Sequence, residues 1–152
     1  MEKQEIIISR DLAGSLAQAL DRQSYDRLFV LTDTTTHRLC RPLLSGMKGM
    51  DDARDIVIEP TDEHKDLHSL ASVWTALQEG GATRHSLMIN LAGGMVTDLG
   101  GFAASTFKRG IPYINIPTTL LSMVDASVGG KTGINYGGLK NEIGVFCPAR
   151  TV

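Results

Sequence analysis

Asp98, Asp125, Lys131, Lys140 and Asn141 are the side chains of this sequence whose types and setting best suit chemistry. They lie in a stretch that begins GGMVTDLGGF, continues through IPTTLLSMVDASVGGKTGIN and ends YGGLKNEIGVF. Eleven of the chain's 16 glycines follow residue 92. Glycine at that density lets backbone approach a bulky neighbour, and a ligand bearing phosphates fits the accompanying residue types. Asp125, in the apolar setting LLSMVDASVGG, needs partners, because an unpaired buried carboxylate is costly. One acid followed by Lys131, Lys140 and Asn141 suits an anionic, polyhydroxylated ligand. The ordinary alternative is a set of salt bridges on a surface loop.

Two further motifs flank these residues. In LAGGMVTD a strand runs through Gly93 and Gly94 into an amphipathic helix, so that free amides at the helix start can face a pyrophosphate. The spacing matches neither GxGxxG nor GxxxxGK[ST], which leaves a tight strand-to-helix turn as the competing reading. Asp98 falls in the first helical turn, where it either complements the helix dipole or hydrogen-bonds a ribose or substrate hydroxyl. Thr118 and Thr119 follow a strand at Pro117 and either cap the next helix or touch a ligand.

The elements that must position these groups follow from periodicity. Short apolar, β-branched runs at 6–8, 28–31, 56–58, 87–91 and 113–116 read as buried strands. Helical patterns cover 11–22, 35–44, 65–78, 97–108 and 118–127. Alternation of this kind predicts a single α/β domain, a Rossmann-like, mostly parallel sheet with helices on both faces. Ligands of such sheets bind beyond the carboxyl ends of the strands. Those ends carry Asp33, the segment 60–65, the segment 93–98 and the segment 117–119. Beyond Thr119 the pattern loosens into a glycine-rich tail whose order is expected to depend on packing, with disorder or self-association expected from about Ser127 onward.

Composition narrows the classes. The 152 residues, 42% of them hydrophobic, suffice for one ordinary core. Fifteen basic residues against 17 acidic ones, scattered along the chain, argue against nucleic acid as a partner. No apolar run is long enough to span a bilayer, so no membrane association is expected and a cytoplasmic location is. Cys40 and Cys147 lack metal spacing and read as packing thiols. His64 and His68 stand four apart, but no third ligand has matching spacing, and they read as an exposed face. Trp74 shares helical spacing with Leu67, Leu70 and Leu77 and reads as core. His37 and His85 receive no role.

Taken together, GGMVTDLGGFAASTFKRGI, IPTTLLSMVDASVGGKTGIN and LKNEIGVF resemble the 3-dehydroquinate synthases, sugar-phosphate cyclases related to glycerol dehydrogenase. Weaker similarity runs upstream through TDTTTHRLC and EPTDEHKDL, and the resemblance covers the first half of the family's protein, its NAD-binding N-terminal domain. It implies conversion of 3-deoxy-arabino-heptulosonate 7-phosphate to 3-dehydroquinate and phosphate, with NAD reduced and re-oxidised within a turnover. By matching position, Asp33, Asp62, Lys65, Gly93, Gly94, Asp98, Thr118, Thr119 and Lys140 would line the NAD site. Asp125, Lys131 and Asn141 would touch substrate, with Lys131 also near the cofactor. Arg109 would bind phosphate in a neighbouring subunit's site, which makes a homodimer the active unit.

This sequence departs from the family pattern at Thr35, Ala92 and Thr97, and either Asp62 or Glu63 would meet the adenosine. The family's divalent metal, zinc or cobalt, is bound by one glutamate and two histidines of a helical second domain that these residues do not include. No metal ligand is therefore expected here, and the 152 residues alone are expected to be inactive. Another sugar-phosphate cyclase or a polyol dehydrogenase is the alternative enzyme, and an isolated NAD-binding or dimerisation module the non-enzymatic one.

Overall fold

A computed structural model describes residues 3–152. Four strands, β1 (Leu28–Asp33), β2 (Arg54–Ile58), β3 (Leu87–Ala92) and β4 (Tyr113–Pro117), form one parallel sheet of order β2-β1-β3-β4. Their carboxyl ends line up: Asp33 pairs with Ile58, and Ala92 with Pro117. The chain adds β2 on one side of β1 and then returns to the other side for β3. The crevice between the ends of β1 and β3 is thus the switch point at which sheets of this kind hold ligands.

Both faces of the sheet are covered, as the near-continuous apolar strands require. On one face Leu28, Val30, Leu87, Ile89 and Leu91 pack with Leu16, Ala19 and Leu20 of helix α1 (Leu12–Asp21) and with Leu44 and Met50. On the other, Phe29, Leu31, Ile56, Ile58 and Met88 pack with helices α3 (Leu67–Glu79) and α4 (Gly94–Thr106). A short helix α2 (Thr34–Leu39) follows β1. Aspartates start three of these helices: Asp11, Asp33 and Asp66 each accept a bond from an amide three residues on.

Helix α4 is buried along most of its length, and two glycines let it sit close. A Cβ on Gly100 would lie 2.1 Å from Asn90 Oδ1, and one on Gly101 would lie 2.6 Å from Thr132. Much of the late glycine density therefore serves packing within the protein.

Several sequence expectations are corrected. Residues 6–8 do not form a buried strand: Ile8 is 98% exposed, and the segment runs beside residues 150–152 through bonds such as Ile7 N to Val152 O. The helix expected at 35–44 stops at Leu39, because Pro42 has no amide to continue it, and a 3-10 turn spans Arg41–Leu44. The helix expected at 97–108 starts earlier, at Gly94, and ends at Thr106. In place of a helix over 118–127 there is one π-helical turn, Ser122–Ala126. The tail is an antiparallel hairpin, β5 (Lys131–Tyr136) and β6 (Leu139–Phe146), turning at Gly137 and Gly138, both with positive φ. Leu67 is half-exposed, whereas Trp74 packs against the core and donates to Thr106 Oγ1 at 3.0 Å.

Candidate functional site

The hairpin folds back over α4 and brings its turn region to the loop that follows β2. At the centre lies the Lys65 ammonium, on a residue only 3% exposed. It donates to Asp98 Oδ2 at 2.7 Å and to Asn141 Oδ1 at 2.5 Å. Three chain segments converge there: the loop after β2, the first turns of α4, and the start of β6. Burial pushes the Asp98 carboxyl above the usual carboxylate range, and the Lys65 ammonium opposes that shift. Asp125 and Asp62 raise it further by repulsion. A buried lysine sharing its proton donors between an acid and an amide forms a polarised end to the crevice.

Asp62 stands at the outer edge of the same loop. Lys140 reaches it at 3.7 Å with both side chains well exposed, so this pair contributes little to stability. The preceding residue, Thr61, has φ 79°, a left-handed value a β-branched residue rarely adopts, and Asn141 has φ 53°. His64 is tied to the loop through Nδ1 and Pro60 O at 2.8 Å, and His68 lies on α3, so the two histidines do not form one helical face.

Beside this cluster, Gly93 is the N-cap of α4, and no side chain caps the helix's first amides. Thr118 N donates to Ala92 O at 3.1 Å, which holds the loop after β4 against the end of β3. Thr119 Oγ1 accepts from Ser122 N just before the π-helical turn, and its methyl lies 3.2 Å from the point a Gly93 Cβ would occupy. Gly94 is similarly confined by Ala126. Asp33 is also on the rim, but one carboxylate oxygen is committed to the cap of α2, bonding Thr36 N at 2.7 Å.

Asp125 is exposed on the π-helical turn, which corrects the expectation of a buried carboxylate. Lys131 opens β5 opposite Phe146, and Asn141 lies five residues from Phe146 along β6, roughly 17 Å of strand rise, towards the hairpin turn. The two are therefore joined by the hairpin and not by contact. Arg109 lies elsewhere: it follows α4, at the amino end of β4, exposed beside Arg84, His85 and Lys108. It reaches no group of the Lys65 cluster within this chain.

Asn135 was not singled out by residue type. Its side chain donates to Asp62 O at 2.9 Å and Asp62 Oδ2 at 3.2 Å, and accepts from Asn141 N at 2.9 Å. An Asn just before a Gly-Gly turn, flanked by alternating apolar residues, is a hairpin signal that places it next to the turn. The buried pair Asn90 and Asn115, bonded at 3.0 Å across β3 and β4, is a second polar feature that strand periodicity hides.

Among the described residues, no group of three or more His, Cys, Asp or Glu is arranged to hold a metal ion, and no helix is long and apolar enough to cross a membrane. The apolar groove between α1 and β4, lined by Leu12, Leu16 and Ile114, contains none of the acids or lysines above.

Comparison with known proteins decides the family. Residues 55–152 match the model of the 3-dehydroquinate synthase N-terminal region. The chain belongs to the 3-dehydroquinate synthase family. It is 53% identical, over 97% of its length, to a 3-dehydroquinate synthase of Parabacteroides distasonis, and 46% identical, over 87%, to one of Thermococcus kodakarensis. It spans 42% and 37% of those two relatives. Among solved structures, a 2-epi-5-epi-valiolone synthase of Streptomyces hygroscopicus with NAD+ and Zn2+ bound matches 99% of this chain and 42% of its own at TM-score 0.85 and 32% identity. A 2-deoxy-scyllo-inosose synthase shares the fold at TM-score 0.80 and 20% identity.

Proposed function

We propose that residues 1–152 are the NAD-holding N-terminal domain of a 3-dehydroquinate synthase, which converts 3-deoxy-arabino-heptulosonate 7-phosphate to 3-dehydroquinate and phosphate. The convergence of Lys65, Asp98 and Asn141 at the carboxyl rim, beside the uncapped start of α4, is the observation that carries this reading. The exposed first-turn amides of α4 suit a pyrophosphate, and Asp98 suits a ribose hydroxyl. Thr118 and Thr119 border the same crevice, and Asp62 with Lys140 closes its outer edge. Bound there, NAD would supply a reversible hydride acceptor. Lys131, Asp125 and Asn141 would then face the phosphorylated sugar acid, with Arg109 serving a second copy's site in a homodimer.

The described residues offer no arrangement of His, Cys, Asp or Glu that suits a catalytic metal. On this reading the zinc or cobalt of the family belongs with residues outside this chain, and the 152 residues alone turn over no substrate. Calorimetric titration with NAD tests the cofactor role: one-site binding supports it, and binding abolished by Asp98→Asn ties it to this rim. Release of phosphate from the sugar-acid substrate by the 152 residues with NAD and zinc would overturn the inactivity. Similarity to the valiolone synthase favours a second reading, a cyclase for a different sugar phosphate. Assay of a protein carrying this domain with each sugar phosphate separates the two.

A further inference from the structure

We propose that Asn135 is a positioning residue, whose one side chain sets the spacing between the Asp62–Lys65 loop and the hairpin segment Lys140-Asn141. The proposal rests on the cofactor reading above and deepens it. Asn135 lies on β5 and is bonded on both sides. Its backbone amide donates to Lys65 O at 2.8 Å, and its side-chain amide donates to both Asp62 O and Asp62 Oδ2. The side-chain carbonyl accepts from Asn141 N at 2.9 Å. Only a side chain with a donor and an acceptor on one short stem can make both connections.

The other links between these segments do not do this. The Lys140–Asp62 pair is long and solvated, with Lys140 81% exposed. The Lys65–Asn141 bond ends on a side chain and leaves the backbone of Asn141 to find its own partner. That backbone is left-handed, and the bond from its amide to Asn135 is what holds it there. Removing the Asn135 side chain would leave only its own backbone bond to Lys65 O and the Lys65–Asn141 bond between the loop bearing Asp62 and the hairpin bearing Lys140 and Asn141. A dinucleotide spanning the two would then meet groups at variable distance, and affinity would fall through lost preorganisation.

The test uses the 152-residue chain with two variants and two measurements, amide hydrogen exchange and NAD affinity by calorimetry. Asn135→Ala is expected to speed exchange at the Asn141 amide at least tenfold and to raise the Kd for NAD about tenfold, or 1.4 kcal/mol. Asn135→Asp keeps the acceptor for Asn141 N but loses the donor to Asp62. It is expected to leave the Asn141 amide protected while exchange in the 61–65 loop accelerates. A merely structural role would not split the two segments in this way. Unchanged exchange in Asn135→Ala, or equal loss at both segments in Asn135→Asp, would overturn the proposal. Should the unmodified chain bind no NAD, the cofactor reading fails, and the exchange split alone decides whether Asn135 holds the segments together.

Discussion

Replacing Lys65 with methionine isolates the centre of the site. The change removes the 2.7 Å bond to Asp98 and the 2.5 Å bond to Asn141 while retaining most of the buried stem. Loss of one partner from a wholly buried ion pair costs about 3–5 kcal/mol. The Asp98 side chain retains 23% exposure and some access to water, so a loss of about 2–3 kcal/mol is expected at pH 7.5. For a domain of this size that corresponds to a fall of about 5–10 °C in Tm.

The pH dependence has a definite sign. Asp98 already has its folded pKa raised by burial, and removal of the ammonium raises it further. An acid with a raised folded pKa favours the folded state in its protonated form, so its contribution is present below the unfolded value of about 3.9 and is lost as pH rises through the folded value. The Lys65→Met deficit should therefore be largest at neutral pH and shrink towards pH 4. Urea unfolding followed by circular dichroism at pH 7.5 and pH 4.5, on the parent chain, Lys65→Met, Asp98→Asn and the double variant, gives both the deficit and the coupling. Equal deficits at the two pH values, or strictly additive single changes, would refute the assignment of the effect to this pair.

Three other outcomes are expected. Gly100→Ala would place a methyl 2.1 Å from Asn90 Oδ1 and 2.8 Å from Leu31, and should lower unfolding free energy by about 3 kcal/mol or more. Urea titration that finds a loss under 1 kcal/mol would show that the helix can lift off the sheet freely. Burial pushes the Tyr113 phenol well above its usual range, and its hydroxyl bonds the Cys147 carbonyl. Absorbance titration should show that a Tyr113→Phe variant loses no phenolate signal relative to the parent up to the onset of alkaline unfolding. Asp66→Ala removes the cap of α3, a 2.9 Å bond to Ser69 N, and should cost about 1 kcal/mol by thermal melting.

The sheet was legible because its central strands are buried on both sides and their apolar runs stand out between turn residues, as in Leu87–Ala92. The rim followed from strand direction, and Asp98, Thr118 and Asp62 were found on it. The hairpin was missed for the opposite reason. Every residue of β6 is exposed, so no burial pattern marked it, and the Gly137-Gly138 turn was read as looseness. Lys65 gave no sign of being 3% exposed, because its burial depends on a hairpin more than sixty residues away in the chain. Asp125 misled by its apolar neighbours: Leu120, Leu121, Met123 and Val124 are themselves exposed, so their company did not imply burial.

The Lys65 contacts also bear on the order in which the molecule comes together. They join residues 33 and 76 positions apart, and the Asn135–Asp62 bonds span 73. Hairpins close in about 1–10 μs, whereas pairing of distant parallel strands is far slower. The β5–β6 ribbon can therefore exist early yet find no docking place until β2, β3 and α4 are laid down. During refolding, protection at the Asn135 amide, which donates to Lys65 O, should arrive last, in step with the whole sheet, and the crevice gains its polarised end only when the slowest pairing is complete.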